Sequence, residues 1–251
     1  MTDRPADRQT GRRPARRSTP KRRPPAFRLD GIERTYGGAL VLGPIDLRIE
    51  AGESVALVGH NGSGKSTTLA IMAGQLEPTD GRITVYSREP DALESRGAVA
   101  YLPDQPILYD DLSVREHVDY VARLHGVTGD EARDRRVELV ERLGLADRID
   151  DLPSRFSRGL RQKTAIAVAL CRPLRALLVD EPFVGLDADG RATFVELLAE
   201  TAAAGAAVVV ATHEPAVLER FDRCIGIDAG DLTFDGAPAE LPDTLRAAPR
   251  R

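Results

Sequence analysis

Two segments of this sequence set chemically capable side chains at fixed spacing. The first is Gly59-His60-Asn61-Gly62-Ser63-Gly64-Lys65-Ser66-Thr67, which fits the pattern G-x-x-x-x-G-K-[ST]. Glycines let a backbone curl until consecutive N–H groups face inward. A helix opening at the end of such a loop adds its partial positive charge, so the segment is suited to hold phosphates. Lys65 then reaches the β- and γ-phosphates of a nucleotide, and the Ser66 hydroxyl ligates Mg2+. The lysine is informative because the composition runs the other way: among 35 Lys and Arg residues only Lys21, Lys65 and Lys163 are lysines. A compact ammonium suits a phosphate nest as a planar guanidinium fork does not.

The second segment is Ala176-Leu177-Leu178-Val179-Asp180-Glu181, an apolar run ending in two adjacent carboxylates. As a buried strand it delivers both at its C-terminal end, where open α/β sheets bind ligands. Asp180 is placed to hold Mg2+, directly or through water. Glu181 is placed to orient or deprotonate the water that attacks a γ-phosphate.

These side chains need elements to position them. Residues 54–58 form a short apolar strand that runs into the glycine loop; a helix opens at Lys65, and Gly74 terminates it. The continuous apolar runs at 177–179 and 207–210 have the character of strands covered on both faces, which predicts a parallel sheet between helices. Ahead of them, 27–29 and 46–49, separated by turns at Gly37-Gly38 and Gly43-Pro44, predict a small antiparallel sheet, with further strands near 83–86 and 98–102. The period changes at 106–170. Ser113 and Glu116 make a capping box, and Val114, Val118, Val121 and Leu124 recur at helical spacing until Gly126. A second helix at about 130–143 ends at Gly144. Near the end, 224–228 and 232–234 flank Ala229-Gly230 as an edge hairpin, and the chain after Leu241 reads as a fraying tail. The expected fold class is α/β: a P-loop NTPase core over residues 26–240 with a mostly parallel sheet, an N-terminal antiparallel β-subdomain, and an inserted helical subdomain at about 106–170.

A third segment, Phe156-Ser157-Arg158-Gly159-Leu160-Arg161-Gln162-Lys163, makes a resemblance specific. Together with the phosphate loop and the Asp-Glu strand it resembles the nucleotide-binding domain of the ATP-binding cassette family, over about residues 26 to 235. The family's ideal signature is Leu-Ser-Gly-Gly-Gln. This chain keeps Ser157 and Gly159 but carries Phe156, Arg158 and Leu160 at the other places, a variation similar to that of exporters with two-component architecture. By its residue type alone Ser157 caps a helix starting near Arg158, and its hydroxyl with that helix end makes a second anion site. The resemblance implies that this site covers the γ-phosphate held by a partner domain, giving a head-to-tail dimer with two ATP molecules at the interface. It also implies that Val184-Gly185-Leu186-Asp187 communicates between the two sites, that His213 contacts the γ-phosphate and positions the water, and that Tyr36 stacks on adenine. In Tyr101-Leu102-Pro103-Asp104-Gln105 the family has glutamine directly after the proline. Here Asp104 stands in that place and Gln105 follows, and either reaches Mg2+ or the attacking water.

Composition bounds the rest. No apolar run approaches the roughly 20 residues of a membrane-spanning helix; the resemblance to the family then implies a separate transmembrane permease subunit as the partner. Cys171 and Cys224, without a leader-like apolar segment, point to the cytoplasm, and the resemblance implies a chain peripheral on the cytoplasmic face of a membrane. Residues 1–25 hold nine basic residues against Asp3 and Asp7, a net of +7 that leaves −11 of the total −4 to the remainder. With five prolines this tail is expected to be disordered and suited to an anionic lipid surface. A guanine-reading Asn-Lys-x-Asp segment is missing, since none of the three lysines follows an asparagine. The other reading is a soluble cassette ATPase acting on ribosomes or DNA. Such proteins carry two cassettes or a long coiled coil, neither of which fits in 251 residues, so nucleic acid is not an expected partner. The second ATPase domain is expected to be a further copy of this chain.

Overall fold

The computed structural model describes residues 24–246, so the basic tail lies, apart from Pro24 and Pro25, outside the described residues. The chain begins with β1 (Phe27–Tyr36), β2 (Ala39–Ile49) and β3 (Ser54–Val58), then α1 (Lys65–Met72), β4 (Asp80–Val85), α2 (Leu93–Ala98) and β5 (Val99–Leu102). Three helices follow, α3 (Val114–Leu124), α4 (Asp130–Arg142) and α5 (Arg158–Leu170). The remainder is β6 (Ala176–Asp180), α6 (Ala188–Ala203), β7 (Ala207–Ala211), α7 (Pro215–Leu218), β8 (Arg223–Asp228), β9 (Asp231–Gly236) and α8 (Asp243–Arg246).

Six strands form the main sheet in the order β5-β6-β7-β3-β8-β9. The first five run parallel, and β9 returns antiparallel on the edge as the hairpin partner of β8. Every residue of β6 and β7 is buried, because the two-residue period of a strand feeds two cores at once. Leu177 and Val179 of β6, with Val208 and Val210 of β7, join Val118, Ile166, Phe183 and Phe194 on the side of α3, α5 and α6. Leu178 and Val209 point the other way, to Phe27, Ile32, Leu69 and Met72 beneath α1 and the second sheet. That second sheet is antiparallel, in the order β2-β1-β4.

The insertion between β5 and β6 is helical. Its first helix starts at the capping box that the sequence predicts: the Ser113 N–H donates to Glu116 Oε2 at 2.8 Å, and the Glu116 N–H to Ser113 Oγ at 3.3 Å. Two expectations are corrected. Gly43-Pro44 does not break the chain into two strands. β2 runs through it, the irregular pairing between Ile32 and Arg34 absorbs the glycine's φ of 110°, and the Gly43 N–H donates across to Gly230 O at 2.9 Å. Residues 242–246 are not a plain tail either: α8 folds back, its Leu245 packs against the first core, and Arg246 Nε donates to Leu241 O at 2.9 Å, while 247–251 lie outside the described residues.

Candidate active site

β3, β6 and β7 lie side by side and end together, so the loops that follow them meet in one cleft of about 480 Å3. From the loop after β3 come Asn61, Gly62, Lys65 and Ser66; from the end of β6 come Asp180 and Glu181; from the loop after β7 comes His213. Two glycines make the first loop sterically feasible. A Cβ on Gly59 would collide with the Ile227 carbonyl, and one on Gly64 would sit 2.8 Å from Leu42 Cδ1. The loop is also braced from the edge hairpin, where the Gly230 N–H donates to Ser63 O at 3.0 Å.

α1 begins at Gly64 with no side-chain cap, so its first N–H groups are left to an anion. Lys65 is buried to 5% exposure and folds back over the loop, its Nζ donating to Gly59 O at 2.8 Å and His60 O at 3.1 Å. Glu181 Oε1 stands 3.9 Å from that nitrogen. Burial lowers the Lys65 pKa from its ordinary value, and the Glu181 and Asp180 carboxylates work against that. A desolvated ammonium of this kind gains most when a multiply charged anion arrives.

Asp180 is the last residue of β6, paired in register with Ala211 of β7. Glu181 then turns with φ 45°, in the left-handed region that a glutamate rarely occupies, while its N–H donates to Ala211 O at 2.9 Å. This strain, on the order of 1–3 kcal/mol, aims the side chain into the cleft. Glu181 Oε2 comes within 2.8 Å of His213 Nδ1, though not in hydrogen-bonding alignment. Of seven buried side-chain N and O atoms without a partner among the described residues, three belong to residues lining the cleft, Asp180 Oδ1, Glu181 Oε1 and His213 Nδ1, and a fourth, Ser63 Oγ, to the glycine loop. Buried polar atoms are ordinarily satisfied, so such a concentration marks a site made for polar ligands. An aspartate oxygen beside the Ser66 hydroxyl suits Mg2+, a hard cation that takes oxygen ligands.

Burial holds the Asp180 carboxyl above the usual carboxylate range, against the opposing Ser66 hydrogen bond. A carboxyl whose pKa is raised on folding costs stability at every pH above that value, and the cost fades as pH falls through it. Asp180→Asn is therefore expected to raise the thermal midpoint of the nucleotide-free protein at pH 7 by a few degrees, for about 1 kcal/mol. Scanning calorimetry checks this, and an unchanged or lower midpoint contradicts it.

The other expected site residues are spread differently. Asp104 lines the same cleft, whereas Gln105 is exposed and does not. Ser157 caps α5, its Oγ accepting from the Leu160 N–H at 3.3 Å, and neither it nor Gly159 lines the cleft of its own chain. His60 is exposed at the loop's rim and Thr67 is half-buried. Tyr36 is 47% exposed at the end of β1, outside the cleft lining, with the Arg34 guanidinium 4.5 Å above its ring. Sequence reasoning missed Val41 of β2 and Arg158, both of which line the cleft. Nothing local signals Val41; Arg158 was legible only as an oddity beside Ser157.

Residues 42–184 match the family model described as ABC transporter. The chain is 36% identical over 241 residues to a macrolide export ATP-binding/permease protein, MacB 1, of Aeromonas hydrophila, covering 90% of this chain but only 37% of that protein's length. It is 30% identical to the linearmycin resistance ATP-binding protein LnrL of Bacillus subtilis, over 86% of this chain and 70% of that one. Among solved structures it resembles the ADP- and Pi-bound dimeric post-hydrolysis state of the ATP-binding cassette MJ0796, with a TM-score of 0.77 and 26% identity, covering 84% of this chain and 98% of that one.

Proposed function

The chain belongs to the ABC transporter family, and from that premise we propose that it is the ATP-binding and ATP-hydrolysing subunit of a transporter whose membrane-spanning part is a separate polypeptide. One observation carries this reading: Lys65, Asp180, Glu181 and His213 converge on one cleft, while Ser157 and Gly159 stand outside it on the exposed start of α5. No helix among the described residues is long and apolar enough to cross a membrane. The similarity to a macrolide export protein supports export as the direction.

ATP lays its phosphates on the N–H groups of residues 59–67 and the open end of α1. Lys65 Nζ exchanges the Gly59 and His60 carbonyls for phosphate oxygens. Ser66 and Asp180, with Asp104 beside them, would hold Mg2+, which would neutralise phosphate charge when bound. Glu181 takes a proton from the attacking water as the new O–P bond forms. The bond from the γ-phosphorus to the β–γ bridging oxygen breaks, leaving ADP and phosphate, and His213, next to Glu181, orients the water. Ser157 and the start of α5 close the γ-phosphate of a second copy of the chain, so ATP holds the dimer shut and hydrolysis releases it. The helical insertion passes that motion to the permease at the membrane face.

Mixing a Ser157→Cys copy with an Asn61→Cys copy tests the arrangement. The native Cys171 and Cys224 are buried and their thiols are pushed up to about 11, which keeps them out of the chemistry. An intermolecular disulfide is expected with ATP and not without it; failure to form one in ATP contradicts the homodimer.

A further inference from the structure

Arg158 leans back from the start of α5 into the cleft of its own chain. Its Nη2 donates to Asp104 Oδ1 at 3.2 Å, joining two residues 54 positions apart. Its stem is seated on the loop after Glu181, where a Cβ on Gly185 would lie 3.2 Å from Arg158 Cγ. The first turn of α5 is held close there as well, since a Cβ on Gly159 would collide with the Gly185 carbonyl. Three carboxylates line the cleft, Asp104, Asp180 and Glu181, and besides His213 the only basic side chains among its lining residues are Lys65 and Arg158.

A bare carboxylate at this place opposes the entry of a terminal phosphate, and it opposes a triphosphate more than a diphosphate, which stops one group short. The pair is partly exposed, with side-chain exposures of 56% and 44%, so as an ion pair it adds little to stability. We propose that Asp104 and Arg158 act as one neutral unit at the mouth of the cleft, in which Arg158 cancels the Asp104 charge and so sets the preference for nucleoside triphosphate over diphosphate. Arg158 is on this account a positioning and specificity residue. The unit has this role only if the cleft holds nucleotide as read above.

The test is titration calorimetry of the chain with ATP and with ADP, in EDTA so that turnover does not intervene and with light scattering alongside to report any dimer. Arg158→Gln keeps most of the stem over Gly185 and is expected to weaken ATP binding about three- to tenfold and ADP binding less than about twofold. An ADP affinity within about twofold of the parent reports that the variant is folded. Combining it with Asp104→Asn is expected to bring ATP affinity back to within about twofold of the parent, because the charge that needed cancelling is gone. Losses that add in the double variant, or that are equal for ATP and ADP, overturn the pairing. Lys65→Ala, run alongside, separates the two levels. If it loses nucleotide while the pair behaves additively, the pairing alone fails; if it binds as the parent does, the nucleotide reading fails and the pairing with it.

Discussion

Glu181→Gln is expected to bind ATP, to hydrolyse it about 10²- to 10⁴-fold more slowly, and to accumulate as an ATP-dependent dimer. The reasons are local. Glutamine keeps the side-chain length and leaves the left-handed turn after β6 as it is, with the N–H still bonded to Ala211 O. What it loses is the carboxylate that accepts the proton from water. Lys65 loses an opposing charge 3.9 Å away, so phosphate binding is not weakened by the change. With closure intact and release blocked, the dimer persists. Single-turnover hydrolysis and light scattering with ATP check both halves, and turnover at the parent rate would remove Glu181 as the base.

Lys65→Ala is expected to act one step earlier, weakening ATP binding about 10- to 100-fold, the worth of one or two charge-assisted hydrogen bonds to phosphate. The fold should survive it. Burial disfavours the charged ammonium, and its hydrogen bonds are to two carbonyls of its own loop rather than to distant elements. Calorimetric titration with ATP measures the loss, and an undiminished affinity contradicts the phosphate-loop assignment.

Much of this was legible in the sequence, and the physical reason is that the site is built from short-range pattern. The glycine loop, the strand before it and the helix after it are one contiguous stretch. β6 and β7 announce themselves because burial on both faces demands uninterrupted apolar runs, and the acid pair at the end of β6 marks where the run leaves the core. The Ser113–Glu116 box names its helix start for the same reason, since both partners lie within one turn. What escaped depends on other scales. α6 has no clear signal of its own because its alanine-rich end merges with the apolar run of β7, and only Gly205 divides them. Gly43-Pro44 reads as an end of β2 because those residues usually break a strand; the compensation comes from β1 and from Gly230, far along the chain. The closeness of Arg158 to Asp104 has no sequence signal, as it follows from how α5 seats on the loop after β6. The choice between Asp104 and Gln105 was left open for the same reason, since it turns on which of two neighbours faces the cleft.

A separate membrane-spanning partner is tested most directly by cross-linking the tagged chain in its native cells, purifying it from solubilised membranes and identifying what accompanies it by mass spectrometry. The account predicts recovery of a polytopic membrane protein, whose identity would also narrow the cargo. Recovery of ribosomal or DNA-bound proteins alone, from the soluble fraction, would contradict it.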